Sequence, residues 1–238
     1  MKKAQYFYLL RRGFFSGGLN LIKEGLVTAN NFLQQSLTHP AQGSAEFNGT
    51  SDYVQLPTSF SHTNHTVAAW INPADVPLNY YNIFDNRDGS NDGITINYSN
   101  SDEIDYRVNN SILVTSSVIS PSQWNFIVMQ YDGTTMKIYV NGSLNNSLSA
   151  SQTVDVTINA KIGQVAYTPA LQFKGNLSNV SIWNRALTSD EINSIMWKNY
   201  NALSATEKSG LQAWYSLDDI DGTSVPDSSG NGNDGTAN

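Results

Sequence analysis

The segment WNFIVMQYDGTTMKIYVNGSL (124–144) carries two tight-turn dipeptides, Asp132-Gly133 and Asn141-Gly142, separated by the run TTMKIYV. Asp-Gly and Asn-Gly supply the positive φ that two-residue hairpin turns require, so the chain must double back twice within this segment. A helical bundle is excluded here, and an antiparallel meander is implied. Similar alternating runs recur, among them DYVQL (52–56), HTVAAWIN (65–72), NIFDN (82–86), GITINY (93–98), EIDYRV (103–108), SILVT (111–115) and FKGNLSNVSIW (173–183). Helical periodicity is convincing at one place. Thr188 and Glu191 have capping-box spacing ahead of Ile192, Ile195 and Met196, which share a face. A shorter helix is expected from Ser204, before ATEK. This pattern predicts an all-β, two-sheet antiparallel jelly-roll sandwich over residues 45–238, with one short peripheral helix and an N-terminal arm at 1–44.

The chain has 238 residues, enough to bury a full core without staples. The chain has no cysteine, which removes disulfides and thiolate metal sites. Its net charge of −7 is unevenly spread. Five of the 13 basic residues and one of the 20 acidic ones lie in 1–44, leaving a balance of +4 there and −11 in 45–238. An acidic body lacks the clustered cations that phosphate contacts need, so nucleic acid is not an expected partner. The opening MKKAQYFYLLRR has a short apolar stretch closed by two arginines and no clean cleavage site, so it is not read as an export signal. No run approaches the ~18 apolar residues of a membrane span.

Four phrases in order, AEFNGTSDYVQLP (45–57), HTVAAWINP (65–73), WNFIVMQYDGTTMKIYVNGSL (124–144) and FKGNLSNVSIWNRALTSDEI (173–192), resemble the laminin G-like branch of the concanavalin A-like lectin/glucanase superfamily. The resemblance implies a concanavalin A-like jelly roll. It also implies that a phrase like GLQAWYSLDDIDGTSVPDSSGNGNDGT should precede the FNGTSDYV strand, whereas here it occupies 210–236. Two arrangements compete. The sandwich is circularly permuted, with 210–238 as its closing strand, or a second, truncated repeat begins at Gly210. Sandwich termini lie close together, and Leu211, Ala213, Tyr215 and Leu217 alternate as a strand face should, so permutation is the expectation.

For chemistry, Glu103 and Asp105 share a strand face, as do the carboxylates of the superfamily's endo-glucanases. Arg107 and Val108 stand where a third carboxylate would be, so the acid of a retaining pair is missing and no enzyme is expected. His62 and His65 are expected in a surface turn rather than on zinc. Calcium is the candidate cofactor: Asp88, Ser90 and Asp92 alternate before Gly93, and Asp227 and Asn231 lie in a similar phrase. In relatives an acidic residue in GxIDDV completes such a site, but the matching segment here is Gly175-Asn176-Leu177-Ser178-Asn179-Val180. Tyr80, Tyr81, Tyr98 and Tyr106 are candidate platforms for stacking on a sugar ring.

The functional expectation is a non-enzymatic structural or recognition protein of a bacteriophage particle, a head decoration or fibre, displaying a lectin-like domain. Assembly in the host cytoplasm and release by lysis would reconcile a lectin-like fold with the missing export signal. The apolar residues of the 1–44 arm would dock on other virion proteins and hold a homo-oligomer. The alternative is a secreted or surface, extracellular adhesin binding cell-surface glycans. A β-glucan hydrolase is third.

Overall fold

In the computed structural model the described residues are 43–89, 92–116 and 119–238. The arm at 1–44, apart from its last two residues, lies outside them, and so does Ser90. Strands β1 (Ala45–Asn48), β2 (Val54–Gln55) and β3 (His65–Pro73) come first. A meander follows of β4 (Tyr80–Asp85), β5 (Ile94–Ser99), β6 (Ile104–Val108) and β7 (Ser111–Val114). The two turn dipeptides then join β8 (Asn125–Tyr131), β9 (Thr135–Val140) and β10 (Ser143–Ser149), as expected. Asn141 and Gly142 both take positive φ, 49° and 82°. Strands β11 (Lys161–Ile162) and β12 (Lys174–Trp183) lead to helix α1 (Ser189–Ile195), a 3-10 turn (Tyr200–Ala202) and helix α2 (Ala205–Lys208). Strands β13 (Leu211–Tyr215), β14 (Ser224–Val225) and β15 (Gly235–Ala237) end the chain. Both helices begin on capping boxes, Thr188 with Glu191 and Ser204 with Glu207.

Two antiparallel sheets face each other as the alternation requires. One has the order β1-β12-β3-β8-β9-β10, with β13 also on β12; the other runs β14-β15-β2-β11-β4-β5-β6-β7. Their inner faces bury Phe47, Val67, Ile71, Met129, Leu177, Ile182 and Tyr215 against Leu56, Phe84, Ile96, Tyr98, Tyr106 and Ile162. The outer face of the first sheet is also apolar. Trp70, Phe126, Trp183 and Trp214 are buried there, and Leu187, Ile192, Ile195, Met196 and Leu203 come from the segment that carries the helices. The indole N–H of Trp183 donates to Glu207 O at 2.7 Å.

The C-terminal phrase is an integral part of this sandwich. Strand β1 registers with Lys174–Leu177 of β12, and β13 with Val180–Trp183, along the same edge of that ten-residue strand. The Ser178 hydroxyl lies 3.2 Å from both Gly43 O and Ser216 O, joining the two strands where they meet. The β14–β15 hairpin then extends the second sheet by pairing with β2. Gly175 shows how tightly β12 is enclosed: a Cβ there would lie 2.3 Å from Asn72 O.

Removing residues 210–238 should therefore unfold the domain. Leu211, Trp214, Tyr215 and Leu217 are all buried, and each large apolar side chain contributes about 1.5–3 kcal/mol. Their sum rivals the whole margin of roughly 5–15 kcal/mol. A truncated protein that melts at the full-length temperature would refute the integral role.

Candidate functional site

The chemistry gathers on the outer face of the eight-stranded sheet. Alternation sends Ile94, Ile96 and Tyr98 of β5, and Ile104, Tyr106 and Val108 of β6, into the core. Thr95, Asn97, Asp105 and Arg107 therefore face the other way. A register shift between Asn82 and Phe84 lets Ile83 and Phe84 both face the core and puts Asn82 and Asp85 with the polar set. Cross-strand register then gives two rungs, Asp85–Thr95–Arg107 and Asn82–Asn97–Asp105, with Lys161 of β11 opposite Asp85.

Asp85, fully buried, is the hub of this face. Its Oδ1 accepts from the backbone N–H of Arg87 at 2.9 Å and of Ala166 at 3.1 Å. Its Oδ2 accepts from Arg87 Nε at 3.0 Å and from the Thr95 hydroxyl at 2.7 Å. The Ala166 bond pins the excursion between β11 and β12 over the sheet. That excursion departs at Gly163, whose N–H reaches Ile83 O at 3.1 Å, and returns at Leu171, whose O accepts from Asn82 N at 2.8 Å. Near its tip Tyr167 is 47% exposed. The Arg87 guanidinium carbon lies 5.7 Å from the ring centroid. Gly89 completes the seat, because a Cβ there would come within 3.2 Å of the ring.

The remaining groups differ in how fully they are held. Lys161 donates to Gln164 Oε1 at 2.8 Å and lies 4.5 Å from the Tyr53 ring centroid. Burial lowers its pKa from the ordinary lysine value, opposed by the charge of Asp85. Asn82 donates to Asn97 Oδ1 at 3.0 Å, but its own Oδ1 is buried without a partner. Arg107 contacts Asp105 once, at 3.4 Å, and its Nε is likewise buried and unpartnered.

Several expected residues lie elsewhere. Tyr98 and Tyr106 are fully buried in the core, so neither ring can stack on a ligand. The inward alternation of β5 and β6 puts them there. Tyr81 is partly buried with its edge against Phe173, and its hydroxyl donates to Asp75 Oδ1 at 2.5 Å. Tyr80, beside it, is partly exposed. Glu103 sits just before β6, while Asp105 faces Arg107 rather than a second carboxylate.

Of the expected calcium ligands, Asp227 is taken up by the protein's own donors. All the lone pairs of Asp227 are engaged, accepting from Trp214 N, Ser229 N, the Ser229 hydroxyl and Asn233 N at 2.7–3.2 Å. Asn231 turns its amide N–H toward Leu211 O and Gln212 O. Asp88 and Asp92 are exposed and joined through their backbones, Asp88 N to Asp92 O at 3.2 Å. Among the described residues, no group of three His, Asp or Glu is placed to hold a metal ion.

His65 is not in a surface turn but opens β3, with its side chain 1% exposed. Its Nδ1–H faces His62 O at 2.9 Å and Thr63 O at 3.1 Å, which leaves Nε2 to accept from the Tyr106 hydroxyl at 2.6 Å. Burial pushes its pKa down to about 4 against the opposing pull of those carbonyls. The unfolded chain therefore binds the extra proton first, and stability should fall as pH drops from 6.5 towards 4. Each pKa unit is about 1.4 kcal/mol, giving a loss of about 3 kcal/mol over the window. Denaturant melts at pH 4.5–6.5 should show this slope in the native protein and a flatter one in His65→Gln. Equal slopes would remove His65 as its source.

Sequence reasoning found the Asp105–Arg107 strand but missed Asn82, Asp85, Arg87, Lys161 and Tyr167. The polar members of TIN and IDYR, alternating with core residues, marked the second face. Nothing local announced that residues 164–170 would fold over it.

The sequence profile of the laminin G-like family of the concanavalin A-like lectin/glucanase superfamily matches residues 48–193. No curated protein matches the chain in sequence. Among solved structures, a candidate carbohydrate-binding protein of Bacteroides ovatus superposes with TM-score 0.66 at 19% identity, over 82% of this chain and 57% of that one. The chain thus spans little more than half of that protein's length. Domain 4 of an extracellular arabinanase from Geobacillus stearothermophilus, in complex with arabinotriose, gives TM-score 0.54 at 20% identity, over 64% of this chain and 76% of that one. The CBM40 domain of a Ruminococcus gnavus sialidase, bound to α2,3 sialyllactose, gives TM-score 0.52 at 14% identity, covering 66% of this chain and 99% of its own. At these identities the likeness is one of fold.

Proposed function

The chain belongs to the laminin G-like branch of the concanavalin A-like lectin/glucanase superfamily, and we propose that it is a non-catalytic carbohydrate-binding domain that takes sugar beside Tyr167. The observation that carries this is the half-exposed Tyr167 ring, seated on Gly89 and Arg87 at the rim of a polar sheet face. A sugar presents an apolar face that an aromatic ring can cover, and hydroxyls that need fixed donors and acceptors at its edge. The sugar-binding descriptions of the similar structures support the same reading.

The non-catalytic part rests on the carboxylates. Retaining hydrolysis needs two free carboxyl groups about 5 Å apart. On this face Asp85 is consumed by donors and Asp105 faces Arg107. Work outside the cell is the setting that the extracellular arabinanase domain supports. Carriage on a virus particle, and oligomers built through an arm, rest on residues 1–44 and have no support from the relatives. Among the described residues no helix is long and apolar enough to cross a membrane.

Titration with arabino-, gluco- and sialyl-oligosaccharides tests the reading. Tyr167→Ala should weaken binding about tenfold, or 1.4 kcal/mol, at an unchanged melting temperature, while Tyr80→Ala should leave affinity intact. Undiminished affinity in Tyr167→Ala would move the site elsewhere. No reducing ends should be released from β-glucan, and turnover abolished by Glu103→Gln would overturn the non-catalytic assignment.

A further inference from the structure

An arginine that holds this fold together fills its fork with acceptors. Arg185 donates from Nε to Ser209 O at 2.7 Å, from Nη1 to Glu191 Oε2 at 2.9 Å, and from Nη2 to Glu191 Oε1 at 2.7 Å and Thr206 O at 2.9 Å. The two arginines of the polar sheet face are committed far less. Among the described residues Arg87 donates from Nε to Asp85, and its guanidinium carbon lies 5.7 Å from the Tyr167 ring centroid, with the side chain 11% exposed. Arg107 makes one long contact to Asp105 and keeps a buried Nε with no acceptor, while its side chain is 28% exposed. A buried, unpaired N–H on a charged group is costly, and a ligand acceptor would remove that cost.

We propose that Arg87 and Arg107 recognise the carboxylate of an acidic sugar, a uronic or a sialic acid, bound with its ring against Tyr167. This rests on the carbohydrate-binding reading above and adds the ligand's charge. Arg87 Nε and the Thr95 hydroxyl both donate to Asp85 Oδ2, and Arg107 is the cross-strand partner of Thr95 on its other side. Strands one apart from a shared neighbour are separated by about 10 Å, within reach of two long side chains converging on a monosaccharide. The planar fork of arginine matches a carboxylate, and charge-assisted bonds on a face partly shielded from water are stronger than those to a neutral hydroxyl. Lys161 is already occupied by Gln164 and Tyr53, which leaves the arginines as the available donors.

The test is calorimetry on the full chain with matched probes: 3′-sialyllactose against lactose, and trigalacturonic acid against its methyl ester. At least one acidic probe should bind about tenfold tighter than its neutral partner, and the pair that responds identifies sialic or uronic acid. Arg107→Gln should abolish the preference in a protein that still shows the native circular dichroism spectrum. Arg107→Lys, which keeps the charge without the fork, should retain part of it, and added salt should erode it. Equal affinity for acidic and neutral probes, or a preference that survives Arg107→Gln, would end acid recognition and leave sugar binding standing. Failure of the native protein to bind any of the four probes or the oligosaccharides named above would instead end the carbohydrate reading.

Discussion

Strand β12 pairs with β3 along one edge and with β1 and then β13 along the other, so its hydrogen bonds tie together segments that are far apart in sequence. Both faces are enclosed as well: Leu177, Val180 and Ile182 enter the sandwich core, while Trp183 lies under α2. The close approach at Gly175 follows from this, because a strand packed on every side leaves no room for a side chain where β3 crosses near it. The C-terminal phrase earns its place at this strand. Without β13, the backbone groups of Val180–Trp183 would form an open edge.

That rigid frame matters for the site because the second sheet carries different chemistry on its two faces. Its inner face is close-packed and fixes the backbone of β4, β5 and β6. Its outer face can then hold polar groups in strict register, with Asp85 acting as the anchor for a loop that belongs to a different part of the chain. Buried carboxylates are tolerable only when donors replace their lost water, and Asp85 obtains those donors from β5, from the segment after β4 and from the loop itself. Removing the carboxylate would free the loop and, with it, the Tyr167 ring.

The strands were legible because alternation and turn dipeptides are local. The hairpins at Asp132-Gly133 and Asn141-Gly142 and the capping box at Thr188 all fall where the residues predict. The role of Leu211–Leu217 was legible too, as an apolar face in search of a partner. The site was much less so. Tyr98 and Tyr106 read as ring platforms from composition, yet period-two alternation with Ile96 and Ile104 sends them inward. Asp227 read as a cation ligand, but an aspartate followed by Ser, Gly and Asn can equally close its own turn, and here it does. Asp85 and Tyr167 are 82 positions apart in the chain, and only the tertiary fold puts one in charge of the other.

Asp85 and Asp227 make the same use of a carboxylate with different results. Each is buried, and each collects at least four donors from residues distant in sequence or from its own turn. Around Asp227 the segment so fixed is glycine- and asparagine-rich and leads only to the β14–β15 hairpin against β2. Around Asp85 the fixed segment carries the half-exposed Tyr167 ring, with the Arg87 guanidinium carbon 5.7 Å from its centroid. A ring held by a buried carboxylate need not be ordered when a ligand arrives, so less of the binding free energy is lost to immobilising it. The contrast between the two aspartates is therefore what separates a turn that only closes the fold from a loop that presents an aromatic ring to solvent.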